Sequence, residues 1–446
     1  MKIALVPIDN RPVCYTLPEM ISQIDDEFEL YLPERKYLGD LTKQADIEKI
    51  FYWLENLPEI DGIILSLDTL AYGGLIPSRR CPESLEQIKK RIERLKNILI
   101  SKACKVYAFS SIMRISNNNY NDEEKIYWSE YGTEIFKYSY NTHKNGQPVE
   151  SSVPKEILED YLQTRKRNFE INKIYLDWQK EGIIDTLVFS KDDCAQYGLN
   201  VAEAQALEKS GGYVKTGADE IPLSLLSRMI NGKMRVCPVF LEPEYKDLIS
   251  NYEDVSIEQS VCGQLELAGC EITDSNAADI LLLVNNFKKN QGEIVMGIDT
   301  ENYTGEFKVP DRPYMIADVR YANGADNSFI NELLFNNKIS DKTFYGYSGW
   351  NTSANTLGSL ICGAKMKFLA RKYNQNAFKK LQITRFLDDW AYQANVRRSL
   401  IVPDSKKLTE KMKVFEKKLE SVIIQDVGIR YSFPWKRLFE VEIEFI

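Results

Sequence analysis

G-I-I-L-S-L-D (62–68) is a short apolar run that ends in an acidic residue, and this arrangement recurs along the chain. Apolar, β-branched runs of roughly four to eight residues between turn residues are typical of buried strands. Longer patterns with helical periodicity lie between these runs, and strands that alternate with helices indicate parallel α/β architecture. The eight strands predicted before residue 290 are Ile3–Ile8, Glu29–Leu32, Gly62–Leu67, Lys105–Ser110, Asp185–Ser190, Tyr213–Thr216, Arg235–Leu241 and Asp279–Asn285.

Eight strands in β-then-α order are the number that a (β/α)8 TIM-like barrel requires. A doubly wound sheet followed by a second α/β domain is the alternative, because a strand count does not establish closure. We predict a barrel-like catalytic domain over residues 1–290, with a helical insertion near 120–181. A C-terminal α/β and helical region over 291–446 is expected to contribute to the site. We find no internal repeat in the sequence.

The composition limits the classes of partner that the chain is expected to bind and the compartment in which it is expected to occur. The 446 residues carry a formal net charge of −8, which argues against nucleic acid or an anionic membrane as a partner. No apolar run is long enough to span a bilayer. The eight cysteines form no C-x-x-C pair and are expected to be reduced thiols, as in a cytoplasmic protein. Whether the chain forms a homo-oligomer is left open.

The chain has one histidine, His143, in the polar stretch Y-N-T-H-K-N-G (140–146). We predict an exposed loop there, and a bystander role for the imidazole. A single histidine excludes H-E-x-x-H and histidine-rich zinc sites, so the chemistry is expected to use carboxylates. Neither G-x-x-x-x-G-K-[ST] nor G-x-G-x-x-G is present, and no cofactor is predicted.

Polar residues follow most of the predicted strands, where the loops of parallel α/β folds build active sites. Each residue alone is equally well explained as a helix cap or a turn residue. Their coincidence at six or more strand ends favours a site, and the mixture of carboxylates, guanidinium groups, amides and aromatic rings suits a neutral polyol. The candidate substrate-binding residues are Asp9, Arg11, Asp68, Tyr72, Arg79, Arg114, Tyr197, Asp219, Glu220, Asp318, Tyr321, Asn323, Asp326, Trp350 and Asn351.

Several of these segments resemble a bacterial family catalogued as domain of unknown function 4127. The matching stretches are V-P-I-D-N-R-P-V (6–13), L-S-L-D-T-L-A-Y-G-G-L-I-P-S-R-R (65–80), S-I-M-R-I-S (111–116), S-K-D-D-C-A-Q-Y-G-L (190–199), G-A-D-E (217–220), D-V-R-Y-A-N-G-A-D (318–326) and G-W-N-T-S-A-N-T-L-G (349–358). They occur in order over nearly the whole chain. The resemblance implies no particular activity. The family usually has a carboxylate where this chain has Asn10, so this position is not expected to be the essential acid.

A second resemblance concerns chemistry. The adjacent pair Asp192-Asp193 is similar to the catalytic pair of substrate-assisted β-N-acetylhexosaminidases. The resemblance implies that Asp192 orients the 2-acetamido group, while Asp193 protonates the leaving oxygen. It further implies that one of three tyrosines, Tyr72, Tyr197 or Tyr321, donates to the developing oxazoline. Trp350 would form an apolar wall. The residues expected to hold sugar hydroxyls are Asp9, Arg11, Asp68, Arg79, Asn323 and Asn351. Asp-Asp also occurs as plain surface and as a metal-ligand pair.

Three functions remain open from the sequence. The preferred one is a glycoside hydrolase that acts on β-linked N-acetylhexosaminides, of GalNAc or GlcNAc, by the substrate-assisted retaining mechanism. An ordinary acid pair drawn from Asp192, Asp193, Asp219 and Glu220 is a variant of it. The second is a Mg²⁺- or Mn²⁺-dependent hydrolase or lyase with oxygen ligands such as Asp9, Asp68, Asp192, Asp193 and Asp219. The third is a sugar-binding protein without catalysis.

Overall fold

The apolar runs form strands in a computed structural model that describes residues 1–192, 195–420 and 428–446. The strands, in chain order, are β1 (Lys2–Val6), β2 (Glu29–Tyr31), β3 (Gly62–Ser66), β4 (Lys105–Ile112), β5 (Thr186–Lys191), β6 (Tyr213–Thr216), β7 (Arg235–Phe240), β8 (Glu271–Ile272), β9 (Ile280–Asn285), β10 (Gly292–Glu293), β11 (Tyr314–Asp318), β12 (Tyr321–Ala322), β13 (Phe344–Ser348), β14 (Ile429–Ser432) and β15 (Glu442–Phe445).

The helices occupy the periodic segments between the strands. They are α1 (Thr16–Ser22), α2 (Ile47–Glu55), α3 (Leu67–Tyr72), α4 (Leu75–Arg80), α5 (Leu85–Ile100), α6 (Trp128–Asn145), α7 (Lys155–Lys180), α8 (Leu199–Lys209), α9 (Ile221–Met229), α10 (Ile257–Leu267), α11 (Asn327–Phe335), α12 (Ser353–Leu369), α13 (Gln375–Arg385) and α14 (Ser405–Glu420). A π-helical segment, Phe386–Val396, continues α13. Among these helices, none is long and apolar enough to cross a membrane.

The described residues form two compact units. Unit 1 comprises Met1–Tyr15 and Glu29–Pro222, and unit 2 comprises Thr16–Phe28 and Leu223–Ile446. In unit 1, six parallel strands pair in the order β2-β1-β3-β4-β5-β6. Alternate residues of these strands, such as Ile63, Leu65 and Ala108, pack with α2, α5 and α7 in one apolar core.

In unit 2, five parallel strands pair in the order β8-β7-β9-β11-β13. Read from the first strand of each unit, both sheets follow the order 2-1-3-4-5, one of the common doubly wound arrangements, and unit 1 adds a sixth strand. The strand order therefore repeats between the units, although the sequence has no detectable period. The inner strands read as continuous apolar runs, as parallel strands covered on both faces do.

The predicted α/β class with parallel sheets is confirmed, whereas closure into a barrel is not observed. Neither of the two large sheets closes, because each begins and ends on a different strand. Strands β7 and β9, which would complete the eight of a barrel, pair in the second sheet instead. The last passage of the chain between the units occurs at Pro222–Leu223, upstream of the domain boundary predicted near residue 290.

The helical insertion predicted near 120–181 forms α6 and α7, between β4 and β5. The two helices share a small core of their own around Trp128, Ile135 and Tyr161. The predicted loop around His143 is wrong, because α6 continues to Asn145 and ends at Gly146, whose φ is 69°. Packing against neighbouring residues stabilises this polar stretch as a helix despite its modest intrinsic propensity.

Candidate functional site

The carboxyl ends of the unit 1 strands carry most of the polar residues singled out in the sequence. Asp9, Asp68, Arg114, Asp192 and Asp219 follow β1, β3, β4, β5 and β6 in turn. Because all these strands are parallel, the five residues lie at one edge of the sheet. The order in which the chain adds strands to the sheet reverses between β1 and β3, because β2 lies on one side of β1 and the later strands lie on the other. Ligands of doubly wound folds bind at such a switch point, and Asp9 and Asp68 flank it.

Arg11 connects the two ends of this edge. Its Nε donates to Asp9 Oδ2 at 2.8 Å, while Nη1 and Nη2 donate to the two carboxylate oxygens of Asp219 at 3.0 and 2.6 Å. Three strands separate β1 from β6, so the strands themselves are about 19 Å apart at the usual spacing. The loops after β1 and β6 therefore reach toward each other across the ends of β3, β4 and β5.

Both carboxylates of this bridge are buried, and each is bonded to Arg11. Burial raises the pKa of Asp9, Arg11 opposes this shift, and the nearby Asp219 adds to it. A guanidinium shared by two carboxylates satisfies its fixed donors in their own plane. This bidentate geometry identifies Arg11 as a structural connection between two loops.

Asp68 lies in the first turn of α3, which Ser66 caps by accepting from Thr69 N–H. Its two oxygens accept from the backbone N–H and the hydroxyl of Ser111, at 2.7 and 2.8 Å. Burial raises the pKa of Asp68 to about 6, although the bonds from Ser111 and the charge of Arg79 lower it. Tyr72, at the end of the same helix, is buried and its hydroxyl has no hydrogen-bond partner among the described residues.

Two arginines fix the loop after β4. Arg79 Nη1 donates to Glu124 Oε1 at 3.2 Å, and Arg114 Nε donates to the same oxygen at 3.1 Å. Arg114 Nη2 also donates to Glu123 at 2.9 Å. The remaining arm of this guanidinium, Nη1, lies 3.8 Å from Asp192 Oδ2. Arg114 thus places positive charge beside Asp192 while it holds the preceding loop.

Asp192 is the accessible member of this group of acids. Its side chain is 40% exposed, whereas Asp9, Asp68, Asp219 and Glu220 are buried. Asp193, the other half of the predicted catalytic pair, lies outside the described residues. Glu220 folds back beneath Gly217, whose φ is 105°, and accepts from Ala218 N–H at 3.2 Å.

Two serines within β4 and β5 add hydroxyl groups to the polar residues at the carboxyl edge of unit 1, and together these groups form a polar row. Ser111 on β4 pairs in register with Ser190 on β5. The hydroxyl of Ser110 donates to Asn172 of α7. Because side chains alternate between the two faces of a strand, Ser111 and its partner Ser190 face away from that helix, on the side of Asp192. Ser190 is 1% exposed, and its hydroxyl has no hydrogen-bond partner within the described ranges. Because side chains alternate along a strand, counting back from Asp192 in the sequence could have identified these serines.

The connection from Asp192 to α8 is held at its far end by α6. Tyr197 makes edge contacts with Tyr140 and His143, with ring centroids 5.4 and 5.6 Å apart. His143 Nδ1 accepts from Gly198 N–H at 3.1 Å, and Ser139 Oγ accepts from Leu199 N–H at 2.8 Å. The prediction that His143 is a bystander overlooked this contact. The four-residue spacing of Ser139 and His143, once assigned to a helix, would have indicated a shared face.

The carboxyl edge of the unit 2 sheet carries the later candidates. Asp318, at the end of β11, accepts from Asn285 Nδ2 at 2.8 Å, from Asp326 N–H at 2.9 Å and from the Tyr347 hydroxyl at 3.0 Å. Asp326 caps α11 and lies 3.3 Å from Arg320 Nε. Burial raises the pKa of Asp318 to about 7, and the neighbouring Asp326 adds to this.

A second buried acid, Asp389, lies on the π-helical segment and was not found from the sequence. Its Oδ2 accepts from Gly349 N–H at 2.7 Å, while its Oδ1 lies 3.4 Å from Arg385 Nη1 without a well-aligned hydrogen bond. Burial raises the pKa of Asp389 to about 7; Arg385 opposes this, and Asp388 adds to it. Rare π-helical turns often occur at functional sites, but no strand end indicated this one.

The loops after β12 and β13 are joined through two strained asparagines. Asn323 and Asn351 have φ angles of 60° and 59°, and Asn323 N–H donates to Asn351 O at 2.8 Å. Asn323 Nδ2 donates to the buried Glu293 at 2.5 Å. Trp350 is buried against Phe439, and the Tyr321 hydroxyl donates to Asn302 at 3.2 Å.

The predicted site residues therefore fall into two groups. Unit 1 contains Asp9, Arg11, Asp68, Tyr72, Arg79, Arg114, Asp192, Tyr197, Asp219 and Glu220, and unit 2 contains Asp318, Tyr321, Asn323, Asp326, Trp350 and Asn351. Over residues 1–192, 195–420 and 428–446, no three His, Cys, Asp or Glu residues are arranged to hold a metal ion. Asp9, Asp68 and Asp219, considered above as metal ligands, are bonded to Arg11 or Ser111.

Comparison with known proteins places the chain in a family. No curated protein matches it. The family model described as protein of unknown function (DUF4127) matches residues 3–444, which confirms the resemblance of the sequence motifs. With nearly its whole length matched, the chain belongs to the DUF4127 family of proteins of unknown function.

Proposed function

We propose that the protein is a glycoside hydrolase that acts on β-linked N-acetylhexosaminides by a substrate-assisted, retaining mechanism, with its catalytic acids at the carboxyl edge of unit 1. The observation that carries the proposal is the contrast in exposure among the acids there. Asp192 is 40% exposed, while four neighbouring acids are buried. Asp192 is therefore the member of this group that a substrate in solution can reach.

The environment of Asp192 suits a carboxylate that stays charged. Arg114 Nη1 lies 3.8 Å away, and a nearby guanidinium favours the ionised form of an acid. Arg114 is itself fixed by Glu123 and Glu124, so its position does not depend on the substrate. A charged, oriented carboxylate is what the substrate-assisted reaction needs to bind the acetamido N–H and to stabilise developing positive charge.

In the proposed reaction, the acetamido carbonyl oxygen attacks the anomeric carbon as the bond to the leaving oxygen breaks. Asp193 donates its proton to that oxygen, and an oxazolinium forms whose N–H is bound by Asp192. Water then attacks the anomeric carbon, gives a proton to the Asp193 carboxylate, and regenerates the acetamido group with net retention. The adjacent charged Asp192 would keep a proton on Asp193, because two neighbouring carboxylates do not both ionise cheaply.

The other residues of unit 1 are proposed to support this pair. Arg11, bonded to Asp9 and Asp219, holds two loops over the strand ends. Tyr197 is proposed to donate to the oxazoline oxygen, whereas Asp68, Arg79 and Tyr72 are buried and are proposed to support the surrounding loops.

The test is a panel of chromogenic glycosides with matched leaving groups, assayed with and without a chelator. We expect turnover of N-acetyl-β-hexosaminides, no turnover of the matching β-glucoside or β-galactoside, and no effect of chelator. Asp192→Asn should lose activity with every leaving group. Asp193→Asn should lose most with a poor leaving group and least with 4-nitrophenol, which needs little protonation.

Asp177→Asn is the matched control, because Asp177 lies on α7 with a 64% exposed side chain and pairs with Lys180. It should retain full activity. Turnover of the 2-hydroxy sugars at equal rates would reject substrate assistance. Activity that disappears with chelator and returns with Mg²⁺ or Mn²⁺ would instead identify the metal-dependent hydrolase, and binding without turnover would identify the sugar-binding protein.

A further inference from the structure

The loop between β4 and α6 carries the most exposed aromatic side chain of the described ranges. Tyr120 is 77% exposed, whereas Met113 and Ile115 at the start of the same loop are buried. A single exposed apolar residue is common on protein surfaces and needs no function by itself. The place of Tyr120 is what matters, because its loop follows β4 at the carboxyl edge of the unit 1 sheet.

Arg80 of α4 fixes the second half of this loop through its backbone. Its Nη2 donates to Asn121 O at 3.0 Å and also to Asp122 O, while its Nε donates to Glu124 O at 2.9 Å. A guanidinium has five donors in a fixed plane, so the three carbonyl groups are held in one arrangement. The chain directly after Tyr120 is therefore attached to the end of α4.

Helix α6 fixes the first half of the loop. Asn119 Oδ1 accepts from Thr133 N–H at 2.9 Å. Asn118 O approaches α6 so closely that a Cβ atom built at Gly132 would lie 2.2 Å from it. Asn118 Oδ1 also accepts from Tyr120 N–H at 3.0 Å. The Tyr120 ring is thus exposed on a backbone held from both sides, and a preorganised aromatic ring loses little conformational freedom when it binds a ligand.

The same loop contacts the arginine beside the accessible acid. Glu123 accepts from Arg114 Nη2 at 2.9 Å, and Arg114 Nη1 lies 3.8 Å from Asp192 Oδ2. Tyr120 and Glu123 are three positions apart, so their Cα atoms are separated by at most about 11 Å. An oligosaccharide that contacts Asp192 can therefore reach the Tyr120 ring.

Helix α6 also separates Tyr120 from the tyrosine proposed to act at the reacting sugar. The Tyr197 ring contacts the Tyr140 ring of α6, with centroids 5.4 Å apart, whereas Asn119 bonds Thr133. Thr133 and Tyr140 are seven positions apart, which is about 10 Å along the helix axis. One pyranose ring does not span this distance. With Tyr197 beside the reacting sugar, Tyr120 is placed to contact a different sugar.

We propose that Tyr120 is a stacking platform for a second sugar ring, and that the substrate is an oligosaccharide. The identity of the reacting sugar rests on the function proposed above, whereas binding of the second ring does not require catalysis. Tyrosine presents an apolar face and keeps its hydroxyl in water. One face of a pyranose ring consists of C–H bonds, so it packs on the tyrosine ring while the sugar hydroxyls remain hydrated.

The direct test is sugar binding, measured by calorimetry and by NMR of the sugar protons. The probes are S-linked analogues of N,N′-diacetylchitobiose and of N-acetyl-β-galactosaminyl-galactose, each compared with the methyl β-glycoside of its first sugar. We expect the wild-type protein to bind at least one disaccharide about tenfold more tightly than its methyl glycoside, the usual size of an aromatic contact at a binding surface. Protons of the second ring should move upfield, because they lie over an aromatic face.

Variants at Tyr120 should remove this preference only when the ring is removed. In Tyr120→Ala we expect the disaccharide and the methyl glycoside to bind equally, without the upfield shift. Tyr120→Phe keeps the ring and should behave as the wild-type protein does. Tyr52→Ala is the matched control, because Tyr52 is a 64% exposed tyrosine on α2. It should keep the preference, and urea midpoints should be the same in all four proteins.

The kinetic test compares the O-linked disaccharide with the corresponding N-acetyl-β-hexosaminyl fluoride, whose leaving group has no second ring. Tyr120→Ala should lower kcat/KM about tenfold for the disaccharide and leave the fluoride unchanged. The proposal is overturned when the wild-type protein prefers neither disaccharide, or when Tyr120→Ala keeps the preference. If no glycoside is hydrolysed but a preference that depends on Tyr120 is measured, the function proposed above fails and the platform stands.

Discussion

Units 1 and 2 share a strand order but use the carboxyl edges of their sheets in opposite ways. In unit 1, a buried guanidinium links Asp9 to Asp219, and the accessible Asp192 lies beside Arg114. In unit 2, Asp318 is buried and bonded to neutral donors from Asn285, Asp326 and Tyr347. The same strand order therefore supports an edge with an exposed acid beside an arginine in one unit, and a buried acid held by neutral donors in the other.

The difference lies in how each buried acid is compensated. An arginine neutralises a carboxylate by charge, whereas a hydroxyl or an amide stabilises it only by hydrogen bonds. Burial accordingly raises the pKa of Asp318, whose hydrogen bonds come from Asn285, Asp326 and Tyr347, to about 7. Strand order thus predicts where polar residues gather, and the neighbouring cations decide which of them stay charged and reachable. The following experiments test that distinction.

The largest effect is expected from Arg11→Met, which leaves Asp9 and Asp219 buried without their shared cation. Breaking a buried ion pair from one side costs about 3–5 kcal/mol. The free energy of unfolding, from urea titration followed by circular dichroism, measures this loss. Arg94→Met is the control, because Arg94 is 41% exposed and pairs with Glu48 and Glu55 at the surface. It should lose at most about 1 kcal/mol.

Asp192→Asn should separate function from stability. Removing one well-placed group that stabilises transition-state charge lowers kcat by about 10²–10³-fold, while an exposed side chain contributes little to folding. We therefore expect unchanged unfolding in urea together with that loss of the proposed hexosaminidase activity. Asp318→Asn in unit 2 is the counterpart, and it should alter stability. Equal activity losses in the two variants, without a change in stability, would contradict the contrast between the edges.

The acids of unit 2 should make stability fall as pH rises. A carboxyl with a folded-state pKa of about 7 holds a proton that the unfolded chain, with a value near 4, has already lost. Its contribution is full below about pH 4 and disappears as pH rises through about 7. The slope for one proton is at most about 1.4 kcal/mol per pH unit.

Urea midpoints between pH 4 and 8 would measure this slope, and Asp318→Asn should flatten it. Asp68→Asn is the matched variant in unit 1, because burial raises the pKa of Asp68 to about 6. That variant should remove a contribution to the free energy of unfolding that disappears at a lower pH than the contribution of Asp318 does. An unchanged slope in Asp318→Asn would mean that Asp318 does not change its protonation between pH 4 and 8.

Much of this arrangement could be predicted from local sequence. Apolar runs that end in Asp68 or near Asp9 identified both the strands and the edge where polar residues gather. The division into two sheets could not be predicted, because periodicity reveals a strand but not its partner. The runs at β7 and β9 look like continuations of the first six. Pairing across long stretches of chain, rather than local propensity, places them in unit 2.

The missed residues have a common cause. Asp389 lies on a π-helical segment, far in sequence from the strand ends whose residues it contacts. His143 was predicted to lie in a loop because its neighbours are polar, and its contact with Gly198 depends on the helix that the stretch forms. Ser111 and Ser190 lie within strands, where a small polar residue is not distinctive in the sequence. Only the register of β4 and β5 shows that the two serines are neighbours.

These two serines give the smallest and most local test. Ser111→Ala removes the hydroxyl that donates to the buried Asp68 at 2.8 Å, and should cost about 1.5–3 kcal/mol, typical of a hydrogen bond to a charged group. Ser190→Ala removes a hydroxyl with no partner in the described part of the chain, and should be neutral or slightly stabilising. Urea midpoints at one pH compare the two. An equal cost for both would mean that Ser190 also donates to an acceptor, so that the polar row extends toward Asp192 as a continuous network.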